Sequence, residues 1–235
     1  MIEENPQLSV VIPVYRNKET LDALHSRLCQ VLQNEKIDYE IIFINDACPD
    51  GSLARLEEIS RRDKKTLIAV LEKNIGQGKA VLKGLALSRG ETIIVMDADL
   101  QDPPEAIPLL MAKLKGGFDL VFAGRRGAYE SRFRLLTSYL FKRSLYVLCG
   151  LPVDAGLFVA MNRRMVQRLL FYHQPGPSIL AMIACTGLSL VSIPVERAKR
   201  LRGVSAYSFW KRFKVGFGGV IWVIYQKLLI SRKIS

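Results

Sequence analysis

Short, unbroken β-branched runs alternate with stretches of helical periodicity over the first half of the chain, and this alternation limits the fold more than any other feature. Leu8–Val14 (LSVVIPV), Glu40–Asn45 (EIIFIN), Thr66–Leu71, Thr92–Met96 (TIIVM) and Leu120–Ala123 read as strands. Their continuous apolar character is that of strands buried on both faces of a sheet. Between them, Lys18–Asn34 places Leu21, Leu24, Leu28, Val31 and Leu32 at helical spacing. Gly51–Arg62, Gly76–Ser88 and Pro103–Leu114 read as further helices, the last opened by prolines that suit a first turn. The order predicts an α/β fold: right-handed βαβ units forming a mostly parallel sheet with helices on both faces. In such sheets ligands bind beyond the carboxyl ends of the strands.

The pattern changes past Arg125. Ser131–Cys149 reads as a long basic amphipathic helix, and Phe158–Met161 and Leu188–Ile193 as short strands with a helix between them. Charge divides at the same place. Residues through Gly124 hold 15 basic and 19 acidic side chains, whereas those from Arg125 onward hold 19 and 3. A mildly acidic front half joined to a strongly basic back half points to phosphates or an anionic membrane as partners of the latter. No nucleic-acid recognition motif accompanies the charge, which excludes nucleic acid as the expected partner. A hydrophobic content of 49% supports a packed core. Cys29, Cys48, Cys149 and Cys185 form no C-x-x-C, which argues against a zinc cluster or a disulfide scaffold and for a reducing compartment. The opening MIEENPQ lacks the basic-then-apolar layout of a leader, so none is expected.

Two acidic clusters follow strand ends. Asn45-Asp46 closes the second strand, with Asp50 soon after, and Asp97-Ala98-Asp99-Leu100-Gln101-Asp102 follows the fourth. If the chain stays extended there, Asp97, Asp99 and Gln101 face one side. Crowded carboxylates repel unless a cation or hydrogen-bond donors fill the space. Their hard oxygens suit Mg2+ or Mn2+, which is commonly held by one or two carboxylates together with substrate phosphates. Taken as residues alone, an Asp-x-Asp is also the composition of a solvated turn. Gly76-Gln77-Gly78-Lys79 is not a phosphate-binding P-loop, because that pattern needs glycine where Lys73 stands and a hydroxyl where Ala80 stands. His25 and His173 have no partner in the sequence and are expected to be structural.

The segments VVIPVYRNKETL, EIIFINDACPDGS, NIGQGKAVLKGLALSRGETIIVMDADLQDPPE and VFAGRR resemble, in order and at matching spacing, family-2 glycosyltransferases of the GT-A fold. They most resemble the polyprenyl-phosphate branch, which includes dolichyl-phosphate mannose synthase and bacterial aminoarabinose and glucosyl transferases. The likeness covers most of Leu8–Arg126, rests most heavily on DADLQDPPE, and continues more weakly to about Phe209. It implies a Rossmann-like GT-A domain over residues 1–207. Pro13, Tyr15 and Glu19 would lie in the first nucleotide-binding loop, and Asp46 would contact base or ribose. Asp97 would belong to the nucleotide side, Asp99 and Gln101 would hold the metal that bridges the donor phosphates, and Arg125 would match the arginine of a G-S-R-like turn. By residue type alone, Tyr15 also suits a core-edge aromatic and Arg125 a solvated surface charge.

The departures are equally specific. Arg16-Asn17 replaces the usual Asn-Glu, Asn45 replaces the first Asp of an Asp-Asp pair, and Gly156-Leu157-Phe158-Val159-Ala160 replaces G-D-F-R-L. Aminoarabinose-type members also lack that Asp. Arg200-Leu201-Arg202-Gly203-Val204-Ser205-Ala206-Tyr207 resembles an R-x-x-G-x-S-K-Y loop with its lysine lost. Arg200, Arg202 and Ser205 remain as donors for an acceptor phosphate.

The resemblance implies metal-dependent, inverting transfer of a sugar from a UDP- or GDP-sugar to a polyprenyl phosphate, in the setting of cell-envelope polysaccharide synthesis. A saccharide hydroxyl of a glycan or glycolipid is the alternative acceptor, and a non-catalytic partner subunit that keeps the fold is an alternative of another class. Self-association stays open. A sugar hydroxyl needs a general base, whereas a phosphate monoester is already largely dianionic at neutral pH. Leu157 stands where many relatives carry the base, which leaves Asp154 as the nearest carboxylate in sequence. Residues 208–235 form a basic, aromatic extension. A spanning helix needs roughly 20 apolar residues, and Val215–Tyr225 is shorter and followed by Lys227. Peripheral attachment at the cytoplasmic face of an anionic membrane is therefore expected, with Trp210, Trp222 and Tyr225 at headgroup level. A helix that packs into the core is the other reading.

Overall fold

A computed structural model describes residues 5–126, 143, 146–172, 178–198 and 218–225. The strands are β1 (Leu8–Val14), β2 (Tyr39–Asn45), β3 (Thr66–Val70), β4 (Thr92–Val95), β5 (Leu120–Arg126), β6 (Val159–Asn162) and β7 (Leu190–Glu196). The helices are α1 (Leu21–Asn34), α2 (Ser52–Arg62), α3 (Gln77–Leu87), α4 (Ile107–Lys115), α5 (Arg163–Leu170) and α6 (Ile179–Ala184), with short 3-10 turns at Lys18–Thr20 and Pro104–Ala106. Each strand and helix expected in the first half is present, to within a few residues at its ends.

The sheet runs β3-β2-β1-β4-β6-β5-β7. β1 pairs in parallel with β2 and β4, β2 with β3, and β5 with β7. β6 alone among them is antiparallel, with Val95 and Phe122 both opposite Val159. The mostly parallel sheet is thus mixed, because the chain enters β6 from the edge at which β4 and β5 end. β5 also runs past the expected Ala123, since its register with β7 continues to Arg126 opposite Glu196.

Strand alternation divides the core in two. Val10, Ile12, Val14, Ile41 and Phe43 point to one face, where Leu21, Leu24 and Leu28 of α1 and Leu110 of α4 cover them. Val11, Ile42 and Ile44 point to the other, against Ala80, Val81 and Leu85 of α3 and Met165 and Leu169 of α5. Each such Val, Leu, Ile, Phe or Met side chain, fully withdrawn from water, contributes about 1.5–3 kcal/mol. α3 lies unusually close to β1: a Cβ at Gly84 would come within 2.3 Å of Val11.

Of the expected C-terminal extension, residues 218–225 are described and helical. Val223 is buried in the second core, and Trp222 meets Tyr172 edge-on with centroids 5.3 Å apart. Ile221, Ile224 and Tyr225 stay exposed. No helix among the described residues is long and apolar enough to cross a membrane. The boundary expected at residues 207 and 208 lies outside the described residues, as do most of Ser131–Cys149 and Trp210.

Candidate active site

Because β1, β2 and β4 run together and β7 runs with β5, their carboxyl ends share one edge of the sheet, and β6 starts from it. That topology gathers segments far apart in sequence: Tyr15–Asn17 after β1, Asp46 after β2, Asp97–Asp102 after β4, Arg125 at the end of β5, Asp154–Leu157 before β6, and Arg197 after β7. Three non-glycine residues with left-handed backbone, Arg16 (φ 61°), Ala47 (φ 51°) and Leu100 (φ 61°), follow β1, β2 and β4 on this edge. Such conformations are uncommon outside glycine and concentrate at functional sites.

The acidic segment is not extended. Beyond β4 the chain turns at Ala98-Asp99, and Leu100 sends it inward. Asp97 and Asp99 remain partly exposed while Gln101 and Asp102 are buried. The backbone N–H of Gln101 donates to Asp99 Oδ1 at 3.1 Å, closing the turn. Thr20 donates its hydroxyl to the Ala98 carbonyl at 2.5 Å, which ties the first loop to the turn. Within that loop the Lys18 N–H donates to Asp50 at 3.2 Å. Burial works against the Asp50 charge, but the donors of Ser52 and Lys18 outweigh it and hold its pKa below the usual value. Pro13 is buried in β1, Tyr15 is half-buried with Arg16 over its ring at 5.4 Å, and Glu19 is exposed.

Arg197 is the residue that reading the sequence missed. Its Nε donates to Asp102 Oδ1, and its Nη2 lies 3.6 Å from Asp97 Oδ2. The latter distance permits ion pairing but is too long for a hydrogen bond. Burial opposes the charge of Arg197. The bond to Asp102 and the charges of Asp97 and Asp99 outweigh that cost and raise its pKa. Gln101 is pinned nearby: its backbone carbonyl accepts from the Ala198 N–H at 3.0 Å, and its side-chain amide donates to the Ala198 carbonyl at 3.4 Å. The available signal was an arginine directly after a strand that ends on the same edge as a carboxylate cluster in need of a counter-charge.

Asp46 and α3 form the neighbouring wall. The backbone N–H groups of Ile75 and Gly76 donate to the two Asp46 oxygens at 2.7 and 2.9 Å. Gln77, the first residue of α3, donates its side-chain amide to Asp97 Oδ1 at 2.6 Å. The positive end of α3 therefore faces the acidic turn, an arrangement that favours anions.

Asp154 sits in a niche that exists because residue 124 has no side chain. Ser192 donates its hydroxyl to Asp154 Oδ2 at 2.9 Å, and a Cβ on Gly124 would lie 2.0 Å from that same oxygen. Leu157 is half-buried at the entrance to β6. Arg125 is placed by its backbone in β5, opposite Val195. Arg200, Arg202 and Ser205 lie outside the described residues.

The turn offers the hard oxygen donors that a divalent cation takes together with substrate phosphates, without closing three carboxylates on one point among the described residues. Asp97, Asp99 and Asp102 face the single guanidinium of Arg197, leaving the group net negative. Asp102 Oδ2 is buried without a hydrogen-bond partner among the described residues. Such an atom is costly to leave so. The donor set is all oxygen, as Mg2+ or Mn2+ requires.

Comparison with known proteins agrees with this fold. The family model described as glycosyl transferase family 2 matches residues 9–170. A glycosyltransferase of Bacillus subtilis, YkcC, is 30% identical over 228 residues, which span 96% of this chain and 71% of that protein. Mannosyl-3-phosphoglycerate synthase from Rubrobacter xylanophilus superposes with a TM-score of 0.69 at 13% identity, over 97% of this chain and 75% of the other. Glucosyl-3-phosphoglycerate synthase from Mycobacterium tuberculosis, in complex with Mn2+, uridine diphosphate and phosphoglyceric acid, gives 0.63 at 18% identity over 92% and 78%. At these identities the superpositions speak for the fold.

Proposed function

The chain belongs to glycosyl transferase family 2, and from that premise we propose that it moves a sugar from a nucleotide-sugar to a polyprenyl phosphate, with inversion, at a membrane surface. The observation that carries the donor half is the turn Asp97–Asp102 anchored on buried Arg197 at the carboxyl edge of the sheet. Asp99 and Gln101 would hold Mg2+ or Mn2+, which offsets charge developing on the departing nucleoside diphosphate. The Mn2+ and uridine diphosphate bound by the Mycobacterium tuberculosis synthase support this assignment.

The protein's own groups then have distinct tasks. Pro13, Tyr15 and Glu19 border the nucleoside. Asp46 holds the Ile75–Gly76 backbone and so fixes the amino end of α3 beside the donor. Gln77 and Arg197 fix the Asp97 carboxylate from two sides. Arg125, matching the arginine of a G-S-R-like turn, would add positive charge to the donor site. The acceptor oxygen attacks the anomeric carbon on the face opposite the diphosphate; that new bond forms as the bond to the diphosphate oxygen breaks.

Two observations support a phosphate acceptor. Leu157 offers no base at the entrance to β6, and a phosphate dianion needs none. The charge of the back half, with Arg200, Arg202 and Ser205, suits an anionic headgroup. The membrane reading draws on exposed apolar side chains on the side of the second core. Phe171, 71% exposed, lies beside Arg164 and Arg168 around a cavity of about 220 Å³, and Tyr225 is 57% exposed. Apolar rings next to cationic side chains suit peripheral attachment at a cytoplasmic anionic leaflet.

Asp154 favours a second reading. Its placement before β6 on the active edge would let it serve as base for a saccharide hydroxyl. Purified protein given donor, Mn2+ and, in separate reactions, a short-chain polyprenyl phosphate, the matching polyprenol and simple glycans decides between them. Transfer to the phosphate alone supports the first reading. Transfer only to an alcohol or a glycan rejects it and makes Asp154 the first candidate base.

A further inference from the structure

At the amino ends of β2 and β3, on the edge of the sheet away from the acidic turn, a half-buried group of side chains converges on a single point. His25 and Cys29 lie one turn apart on α1, Asp63 caps the end of α2, and Thr66 begins β3. His25 Nε2 is 2.8 Å from Asp63 Oδ2, 3.1 Å from Thr66 Oγ1 and 3.4 Å from Cys29 Sγ. Cys29 Sγ is 3.9 Å from Asp63 Oδ2.

Hydrogen bonds account for part of this convergence: Thr66 donates its hydroxyl to Asp63 Oδ2 at 2.8 Å, and His25 Nε2 pairs with the same oxygen. With Nε2 committed to Asp63, a nitrogen that carries one proton or one lone pair has only a weak contact left for Cys29 Sγ at 3.4 Å. The group does not form a nucleophile relay. In such a relay the carboxylate and the nucleophile bond opposite ring nitrogens, whereas here both lie on Nε2, and Cys29 Sγ is farther, 3.9 Å, from Nδ1.

Metal ligation would engage the thiol as well. Bonds of about 2.0 Å to nitrogen and oxygen and about 2.3 Å to sulfur in a tetrahedron put ligand atoms roughly 3.3–3.6 Å apart. The three ligand atoms already form a triangle with sides of 2.8, 3.4 and 3.9 Å. Shifts of about half an ångström or less complete the fit. A thiolate and an imidazole select a borderline-soft ion over Mg2+. The side chains of His25 and Asp63 are 17% and 21% exposed, which leaves a path from solvent.

We propose that His25, Cys29 and Asp63 form a second metal site, separate from the donor site, that binds a Zn2+-class cation with solvent or Thr66 Oγ1 as fourth ligand. On binding, the Cys29 thiol releases its proton to solvent and the thiolate bonds the ion. The site then links α1, the end of α2 and the start of β3, so its role is to hold the scaffold together. It uses a single cysteine, and Asp63 lies on a different segment from His25 and Cys29, which is why no cysteine spacing announces it.

The test uses the full chain with its cysteines reduced and Asp99→Ala introduced, so that the donor site does not contribute. Co2+ titration should produce a thiolate-to-cobalt charge-transfer band that saturates at one equivalent and is displaced by Zn2+. Cys29→Ser should abolish the band, and Asp63→Asn should weaken Co2+ binding at least tenfold. Should Cys29→Ser fail to fold, His25→Gln, which keeps the thiol, is expected to weaken binding by the same factor. Absence of the band, or a band of equal strength and affinity in these variants, would overturn the proposal and leave the transferase reading untouched.

Discussion

Arg197 donates from Nε to Asp102 Oδ1 with both side chains almost wholly out of water, 6% and 2% exposed. Truncating one member of such a pair strands the other's charge, at a cost of about 3–5 kcal/mol. Arg197→Ala should therefore lower unfolding stability by that order and abolish turnover, because the turn carrying Asp97 and Asp99 loses its anchor. Replacing both residues by apolar ones of similar volume should recover much of the stability but not the activity. Denaturant titration and donor-turnover assays on the single and double variants measure the two effects separately. A single variant as stable as the parent would remove Arg197 from this role.

Asp99 is partly exposed and bonded to its own turn, so removing its carboxylate should spare the fold. Asp99→Ala should reduce metal-dependent turnover by roughly 10²–10³, the scale of losing one group that stabilises transition-state charge. Its melting temperature should stay close to that of the parent. Full activity in the variant, or full activity of the parent in excess chelator, would rule out the metal assignment.

The fold was legible because its signals are local. Apolar runs such as LSVVIPV are buried throughout, and the leucines of α1 fall on one face. The orientation of β6 was not legible, since nothing within Val159–Asn162 distinguishes an antiparallel strand from a parallel one. At the candidate site, Asp97, Asp99 and Gln101 could be picked out, but the shape of their segment could not. It depends on Leu100 adopting a left-handed backbone and on Arg197, 95 residues beyond Asp102. Long-range counter-charges of this kind leave no periodicity.

Asp119 tests how the β5–β7 side of the sheet is held. Its carboxylate accepts from the Ser189 N–H at 3.0 Å, the Ser189 hydroxyl at 2.9 Å and the Asn162 amide at 3.0 Å, joining the starts of β5 and β7 to the end of β6. Burial works against its charge, but these donors and Arg164 outweigh it and lower its pKa. A lowered folded pKa gives stability that is complete above the unfolded value and is lost as pH falls through the folded one. Asp119→Ala should cost about 1–3 kcal/mol at neutral pH by orphaning those donors. The difference from the parent should shrink below roughly pH 4. Unfolding midpoints across that range check the sign, and a difference that grows on acidification would contradict it.

Phe171 tests the membrane reading without touching the core, since its ring is exposed. If it inserts at an anionic surface, Phe171→Ala gives up about 1.5–3 kcal/mol of apolar transfer, which is tenfold or more in binding to anionic vesicles. Arg168→Glu, on the same surface, should weaken binding chiefly at low salt, where screening is least. Vesicle sedimentation at two salt concentrations reads both. Unchanged partition of the two variants would assign this surface to some other contact.

Gly124 and Asp154 decide the acceptor chemistry from within the protein. Asp154→Asn keeps the shape of the niche and removes the base, since Ser192 can still donate to the amide oxygen. Gly124→Ala does the reverse: its Cβ would fall 2.0 Å from Asp154 Oδ2, so the carboxylate keeps its charge but must move. A phosphate acceptor needs no proton removed, and both variants should then hold kcat within about threefold, whereas loss of a positioned general base costs about 10²–10⁴. A hydroxyl acceptor predicts losses of that larger size in both, with Asp154→Asn also flattening the acid limb of the pH–rate profile. Arg200→Ala supplies the opposite contrast, since it should raise KM for a phosphate acceptor and leave simple glycans unaffected. Large kcat losses in both niche variants with no effect at Arg200 would overturn the polyprenyl-phosphate assignment, even if the donor half of the reaction stands.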